Sequence, residues 1–257
     1  MSVLVCFHAH PDDEVFGTGG VIRLAADAGH RVVLVTATDG ALGEDPDGVV
    51  PPGESLVAHR RAELEASAQA LGVHRLVMLD YPDSGMAGTP ENANPAAFAN
   101  LPVAQPARRL ADILIEESAD VVTFYDSNGG YGHPDHVAVH HVGRAAAELA
   151  STPHRFESVA NRDRVRAMMA ANPAWDEEQT GLDMDSFGVP DSEITVEVDV
   201  SAVMEAKRAA MVAHATQIGD FGPFLQMPID MLRTVFGVES FRHADGAPRP
   251  RMTSLPL

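Results

Sequence analysis

The chain has 257 residues, 45% of them hydrophobic, enough to bury a sizeable core as one large α/β domain or two small ones. Eighteen Lys+Arg against 37 Asp+Glu leave a formal net charge of −19, which excludes nucleic acid and anionic membrane as partners, since both demand basic surface. Cys6 is the only cysteine, so there is no intramolecular disulfide framework and no Cys-based zinc finger.

Taken in order, Met1-Ser2 runs straight into an apolar, partly β-branched segment, Val3 to His8, which reads as a buried parallel strand. No basic n-region precedes it, and no stretch of about 18 apolar residues occurs anywhere. A cytoplasmic protein is the expectation. A helix is predicted from Val15 to Ala28, closed by Gly29, and Arg31 to Thr38 (RVVLVTAT) is the second strand. Asp39 to Gly53 is a Gly/Pro/acid-rich loop, Leu56 to Leu71 a helix ended by Gly72, and Arg75 to Leu79 a third strand. Asp80 to Asn100 is long, irregular and proline-broken, the length of a binding loop rather than a passive connector.

A helix around Pro106 to Ser118 precedes the fourth strand, Val121 to Tyr125; a glycine-rich exit loop and a helix from His136 to Ala150 follow. This alternation predicts an α/β fold, a doubly wound Rossmann-like sheet, mostly parallel, in the order 3-2-1-4-5. Beyond residue 150 the pattern weakens. Phe156 to Ala160 reads as a strand, Arg162 to Ala171 as a helix, Asn172 to Asp191 as an acidic surface loop or lid, and Ile194 to Val200 as an alternating strand. Ser201 is a candidate N-cap for a helix reaching about His214, and the last forty residues are irregular with one short helix. We therefore treat residues 1–257 as a single domain, 1–150 forming the core and 151–257 a substrate-side region.

Two stretches carry chemistry. His8-Ala-His10-Pro11-Asp12-Asp13-Glu14 gathers two imidazoles and three carboxylates where the first strand ends. Gly132-His133-Pro134-Asp135-His136 follows the fourth strand. In an open parallel sheet, strands 1 and 4 adjoin at the switch point where ligands bind, so the two motifs should face each other. Pro11 holds His10 extended. Asp12 and Asp13, being adjacent, point in different directions, so that one can bind a metal while the other addresses a water. His10, Asp13 and His136 would supply two nitrogens and a carboxylate, which suits a catalytic zinc with an open position. Asp12 would then be the general base, and Tyr131 and His133 donors to an oxyanion. His133, oriented by Asp135, is also a candidate acid for a leaving amine.

In these residues the chain resembles the LmbE-like (PIG-L) family of zinc-dependent N-deacetylases. The resemblance continues through Thr38-Asp39-Gly40, Arg60-x-x-Glu63-Leu64, Asp83-Ser84-Gly85-Met86-Ala87-Gly88-Thr89, Tyr125-Asp126-x-Asn128-Gly129-Gly130-Tyr131, Ala206-Lys207 and Ala213-His214-Ala215-Thr216-Gln217. Within the family it is nearest in look to actinobacterial enzymes of mycothiol metabolism, which deacetylate N-acetylglucosaminyl-inositol or cleave mycothiol S-conjugates. The resemblance implies one Zn2+ per chain and a small N-acetylated aminosugar substrate, with self-association left open. It also places Arg60, Asp83 and His214 near the sugar. Residues 15–20 and 39–44 follow the generic family version, and 151–200 does not align.

Blander readings compete at several positions. His8 reads as a packing residue, although His8-x-His10 keeps a two-metal phosphoesterase open as a second reading. Gly17-Thr18-Gly19-Gly20 does not fit a dinucleotide fingerprint and comes too late after the strand. His140 and His141 read as packing or surface histidines, Glu14 as a supporting acid, and Cys6 as inert. A binding module without catalysis is the third reading, and the excess of reactive residues argues against it.

Overall fold

Five strands, β1 (Val3–His8), β2 (Arg31–Thr38), β3 (Arg75–Tyr81), β4 (Val121–Tyr125) and β5 (His154–Val159), run parallel in the order 3-2-1-4-5. The computed structural model describes residues 1–45, 48–171, 183–217, 222 and 225–257. Strand alternation divides the core in two. Val5, Phe7, Val33 and Val35 face Leu110 and Leu114 of α4 (Ala104–Glu116) and Val139 and Val142 of α5 (Pro134–Leu149). Leu4, Cys6, Val32 and Leu34 face the opposite side. There they meet Ile22 of α2 (Gly19–Asp27), Leu64 and Leu71 of α3 (Leu56–Leu71), and Met211 of α7 (Met204–Ala213). Both faces are covered, which is why these strands read as continuous apolar runs. Cys6 is fully buried, and burial pushes its thiol up to about 12.

Helix ends follow local chemistry. Ser55 accepts from Ala58 N (3.2 Å) at the start of α3, and Gly72 closes it with φ 77°. Gly29, with φ 80°, does the same after α2. The predicted helix from Val15 to Ala28 is instead two pieces, α1 (Glu14–Gly17) and α2, broken at Thr18 (φ −140°). Thr18 Oγ1 donates to Glu14 O (3.1 Å) and lies 2.8 Å from His8 Nε2, a side-chain contact that competes with a straight helix.

The C-terminal half holds the main surprise. After α6 (Arg162–Ala171) come β6 (Val196–Asp199), α7, α8 (Ile229–Phe236) and β7 (Val238–His243). β7 inserts between β5 and β6, antiparallel to both, and completes a seven-stranded sheet. The last forty residues thus contain a strand that was not expected, because its six residues gain meaning only from neighbours some 40 to 80 positions away. Ser201 opens a short 3-10 turn rather than capping α7; its hydroxyl donates to Asp199. Of the expected lid, residues 172–182 lie outside the described residues. The remainder is tied down where Asn128 Nδ2 donates to Ser186 O (3.0 Å) and Gly188 N to Gly130 O (3.0 Å).

Candidate metal centre

β1 and β4 are hydrogen-bonded neighbours, so the stretches that leave their C-terminal ends do meet. His10 Nδ1 lies 3.3 Å from His136 Nε2 and 3.4 Å from Asp13 Oδ2, and His136 Nε2 lies 3.3 Å from Asp13 Oδ1. The other nitrogen of each ring meets only acceptors. His10 Nε2 faces Asp135 Oδ2 (3.3 Å) and Asp83 Oδ1 (3.6 Å), and His136 Nδ1 faces Gly129 O (3.2 Å). Each of those nitrogens therefore carries the hydrogen, which leaves two ring lone pairs and a carboxylate pointing at one another. Three acceptors so arranged repel unless a proton or a metal ion joins them. Tetrahedral directions around an ion bound at about 2.0–2.1 Å set donors about 3.3–3.4 Å apart, so the set fits a metal ion.

Wider sets exist, since donor atoms of His10, His133 and His136, and of His10, Asp83, His133 and Asp135, also lie within 4.8 Å of one another. They are poorer candidates, because their lone pairs are engaged. His133 Nδ1 accepts from Asp135 N (3.1 Å), while the Asp135 carboxylate accepts from Ser84 N (2.9 Å) and Ala99 N (3.0 Å). Asp135 was expected to orient His133. Its backbone amide meets His133 Nδ1, and its carboxylate holds His10. With Nδ1 occupied, neutral His133 presents Nε2–H. Burial, then the neighbouring His10 and His136, push His133 down to about 4.

Electrostatics follow the same geometry. Burial pulls the His10 imidazole down, but Asp13, Asp135 and Asp83 overrule it and hold it well above its ordinary value. Burial pushes Asp13 up, and His136 and His10 bring it well below the carboxylate range. Asp83 is likewise lowered against its burial by His10 and by Gly85 N.

The Asp12 side chain, 19% exposed, pairs with Arg60, its Oδ2 3.0 Å from Arg60 Nη2. Burial lifts it to about 6 against the pull of Arg60. Arg60 also donates to Gly40 O (2.7 Å) and Pro11 O (2.5 Å), and is 2% exposed. A Cβ on Gly43 would sit 2.1 Å from Arg60 Nη1, so the loop after β2 needs a glycine to wrap the guanidinium. Glu14, fully buried, accepts from Asp12 N (3.0 Å) and Ser67 Oγ (2.5 Å) and pairs with His214 Nε2 (2.6 Å). That pair raises His214 and lowers Glu14, in each case against burial.

Of the residues assigned to the sugar, Asp83 lies beside His10 and is 8% exposed, Arg60 is spent on backbone and Asp12, and His214 is fully buried. His214 and Arg60 thus brace the site from behind. Tyr131 is 45% exposed, with Oη 3.4 Å from His136 Nε2. His8 is 1% exposed and has both nitrogens engaged, by Tyr125 Oη (2.7 Å) and Thr18 Oγ1 (2.8 Å). Burial pushes it down to about 4, so the His8-x-His10 metal pair of the phosphoesterase reading does not form. Tyr125 was missed: it stacks on His136 at 4.8 Å and anchors His8. Its position as the last residue of the strand that feeds the motif was the available signal.

Residues 5–147 match a family model described as PIG-L, GlcNAc-PI de-N-acetylase. The chain is 35% identical over 279 residues to a 1D-myo-inositol 2-acetamido-2-deoxy-alpha-D-glucopyranoside deacetylase of Thermobispora bispora, covering 97% of this chain and 90% of that one. It is 38% identical over 257 residues to the protein of the same name from Acidothermus cellulolyticus, covering 93% and 87%. Among solved structures, N,N'-diacetylchitobiose deacetylase from Pyrococcus horikoshii superposes with a TM-score of 0.59 at 25% identity, covering 95% of this chain and 84% of that one. A match of that extent, over a stretch that includes His10, Asp13 and His136, places the chain in the PIG-L family of GlcNAc-PI de-N-acetylases.

Proposed function

We propose that the protein hydrolyses the N-acetyl amide of an N-acetylglucosamine-type conjugate, with one zinc ion per chain held by His10, Asp13 and His136. One observation carries the reading. The ring nitrogens of His10 and His136 lie 3.3 Å apart, Asp13 meets them with one oxygen each at 3.4 and 3.3 Å, and the adjoining Asp12 offers a second carboxylate, paired with Arg60. Zinc, when bound, supplies Lewis acidity toward the amide carbonyl and toward water.

The chain's own residues do the rest. Asp12 takes a proton from the attacking water as the new C–O bond forms. Negative charge gathers on the former carbonyl oxygen, which accepts from His133 Nε2–H and from the Tyr131 hydroxyl. When the C–N bond breaks, the proton held by Asp12 passes to the nitrogen, giving acetate and a free amine. His133, whose basicity is low, serves as a hydrogen-bond donor in this scheme rather than as the acid. Asp135 and Asp83 hold His10, and Arg60 aims Asp12. The chain works as a single domain here, with the region after residue 150 bracing the site through His214.

The names of the relatives support a GlcNAc-type substrate, and the panel that narrows it is short: the GlcNAc-inositol conjugate, diacetylchitobiose, free N-acetylglucosamine and a mycothiol S-conjugate. Acetate release from one of the first three, with one zinc per chain by elemental analysis, is expected. Asp12→Asn should lower kcat by about 10³-fold while zinc is retained. Cleavage of the S-conjugate alone would move the reading to an amidase of the same family. Two metals per chain, or a fully active Asp12→Asn variant, would overturn it.

A further inference from the structure

Asp12 is one of only four non-glycine residues with positive φ among those described, and at 120° it lies farther from the ordinary left-handed well than the other three, at 52° to 55°. An aspartate holds such a backbone only where its surroundings over-determine it. The contacts on either side of Asp12 are therefore the place to look for what keeps its side chain aimed.

The preceding carbonyl, Pro11 O, accepts from Arg60. The amide of Asp12 itself donates to Glu14 Oε2 at 3.0 Å. Glu14 cannot drift, because its other oxygen is gripped by Ser67 Oγ at 2.5 Å and His214 Nε2 at 2.6 Å, and Glu14 and His214 are both fully buried. The anchoring extends one step further: Glu63 accepts from Thr216 N (2.7 Å) and Thr216 Oγ1 (2.6 Å), pinning the turn that follows His214 to the helix that carries Ser67. Two distant parts of the chain thus hold the carboxylate that accepts from one peptide N–H.

We propose that Glu14, locked by His214 and Ser67, is a positioning residue that holds the Asp12 backbone in its strained conformation and so aims the Asp12 carboxylate at the attacking water. The inference rests on the reading of Asp12 as general base. Its physical content is an acceptor oxygen at a fixed place, not a charge. Glutamine can supply that oxygen, while its amide donates to Ser67 Oγ and to the alternative tautomer of His214, whose Nδ1 has no partner.

The test compares Glu14→Ala, Glu14→Gln and the milder Ser67→Ala in the full chain. Glu14→Ala should lower kcat on the order of 10²-fold with KM within about twofold and zinc content unchanged, the penalty of misaiming a reacting group by about 1 Å. Glu14→Gln should recover to within about fivefold of wild type, and Ser67→Ala should fall between. In an Asp12→Asn background Glu14→Ala should cost nothing further, since a residue that acts only through Asp12 has nothing left to aim. A Glu14→Gln variant as slow as Glu14→Ala would assign the effect to charge and overturn the proposal. So would full additivity with Asp12→Asn.

One readout needs no turnover. A crystal structure of Ser67→Ala or Glu14→Ala should show the Asp12 peptide relaxed out of positive φ with His10, Asp13 and His136 in place. An unchanged Asp12 φ would refute the positioning role even if the hydrolase reading held. An inactive wild type with a relaxed Asp12 in the variant would refute the hydrolase reading alone.

Discussion

Arg60 shows how much one side chain's role depends on what it touches. A helix-borne arginine near a sugar site is expected to recognise hydroxyls, yet its guanidinium already binds Gly40 O, Pro11 O and Asp12 Oδ2. Nε, buried without a partner, is the cost of that geometry. Arg60→Ala should therefore lower kcat by roughly 10- to 100-fold with KM changed less than about twofold, because positioning and not ground-state binding is lost. Arg60→Lys should restore little, since a point charge cannot reach three acceptors as the planar fork does. Steady-state kinetics decide the matter: a rise in KM at constant kcat would return Arg60 to the sugar.

Among the elements, α2 depends on close approach. A Cβ on Gly20 would lie 2.3 Å from Val200 Cβ, and one on Gly17 2.5 Å from Ser158 Oγ, so Gly17 and Gly20 of Gly17-Thr18-Gly19-Gly20 are there for packing and not for a nucleotide. Gly20→Ala should destabilise by about 1–3 kcal/mol through overpacking. Val200→Gly in the same chain should return part of that loss by removing the Cβ and methyls that the added methyl meets, as read from urea unfolding midpoints. A Gly20→Ala chain as stable as wild type would mean that α2 can shift away from the strand-end residue it abuts.

Across the molecule, the only lysine joins the two halves. Lys207 Nζ, fully buried, lies 2.6 Å from Glu239 Oε1 and donates to Phe16 O (2.9 Å). Glu239 in turn accepts from Gly20 N (2.7 Å) and Val21 N (2.8 Å) at the start of α2, where a carboxylate is favoured. Lys207→Met leaves that carboxylate without its cation and should destabilise by about 3–5 kcal/mol. Adding Glu239→Gln should recover much of it, because removing both charges costs less than stranding one. Denaturant melts of the single and double variants test this, and an undamaged Lys207→Met would show that the amides alone suffice.

The sequence by itself determined the five parallel strands, their order and the meeting of His10, Asp13 and His136, because apolar runs, turn residues and short motifs are local and strand adjacency at the switch point follows from topology. Tertiary structure decided how the remaining polar groups were shared out. Five acidic residues near the site, Asp12, Asp13, Glu14, Asp83 and Asp135, look alike in sequence, but each takes whatever donors the fold brings to it: Arg60 for Asp12, the His10 amide for Asp13, His214 for Glu14, the Gly85 amide for Asp83, and the Ser84 and Ala99 amides for Asp135. The antiparallel β7 and the buried Lys207–Glu239 pair were hidden for the same reason. A buried polar group must find its partner wherever the fold puts one, and that choice is written between distant segments, not within any one of them.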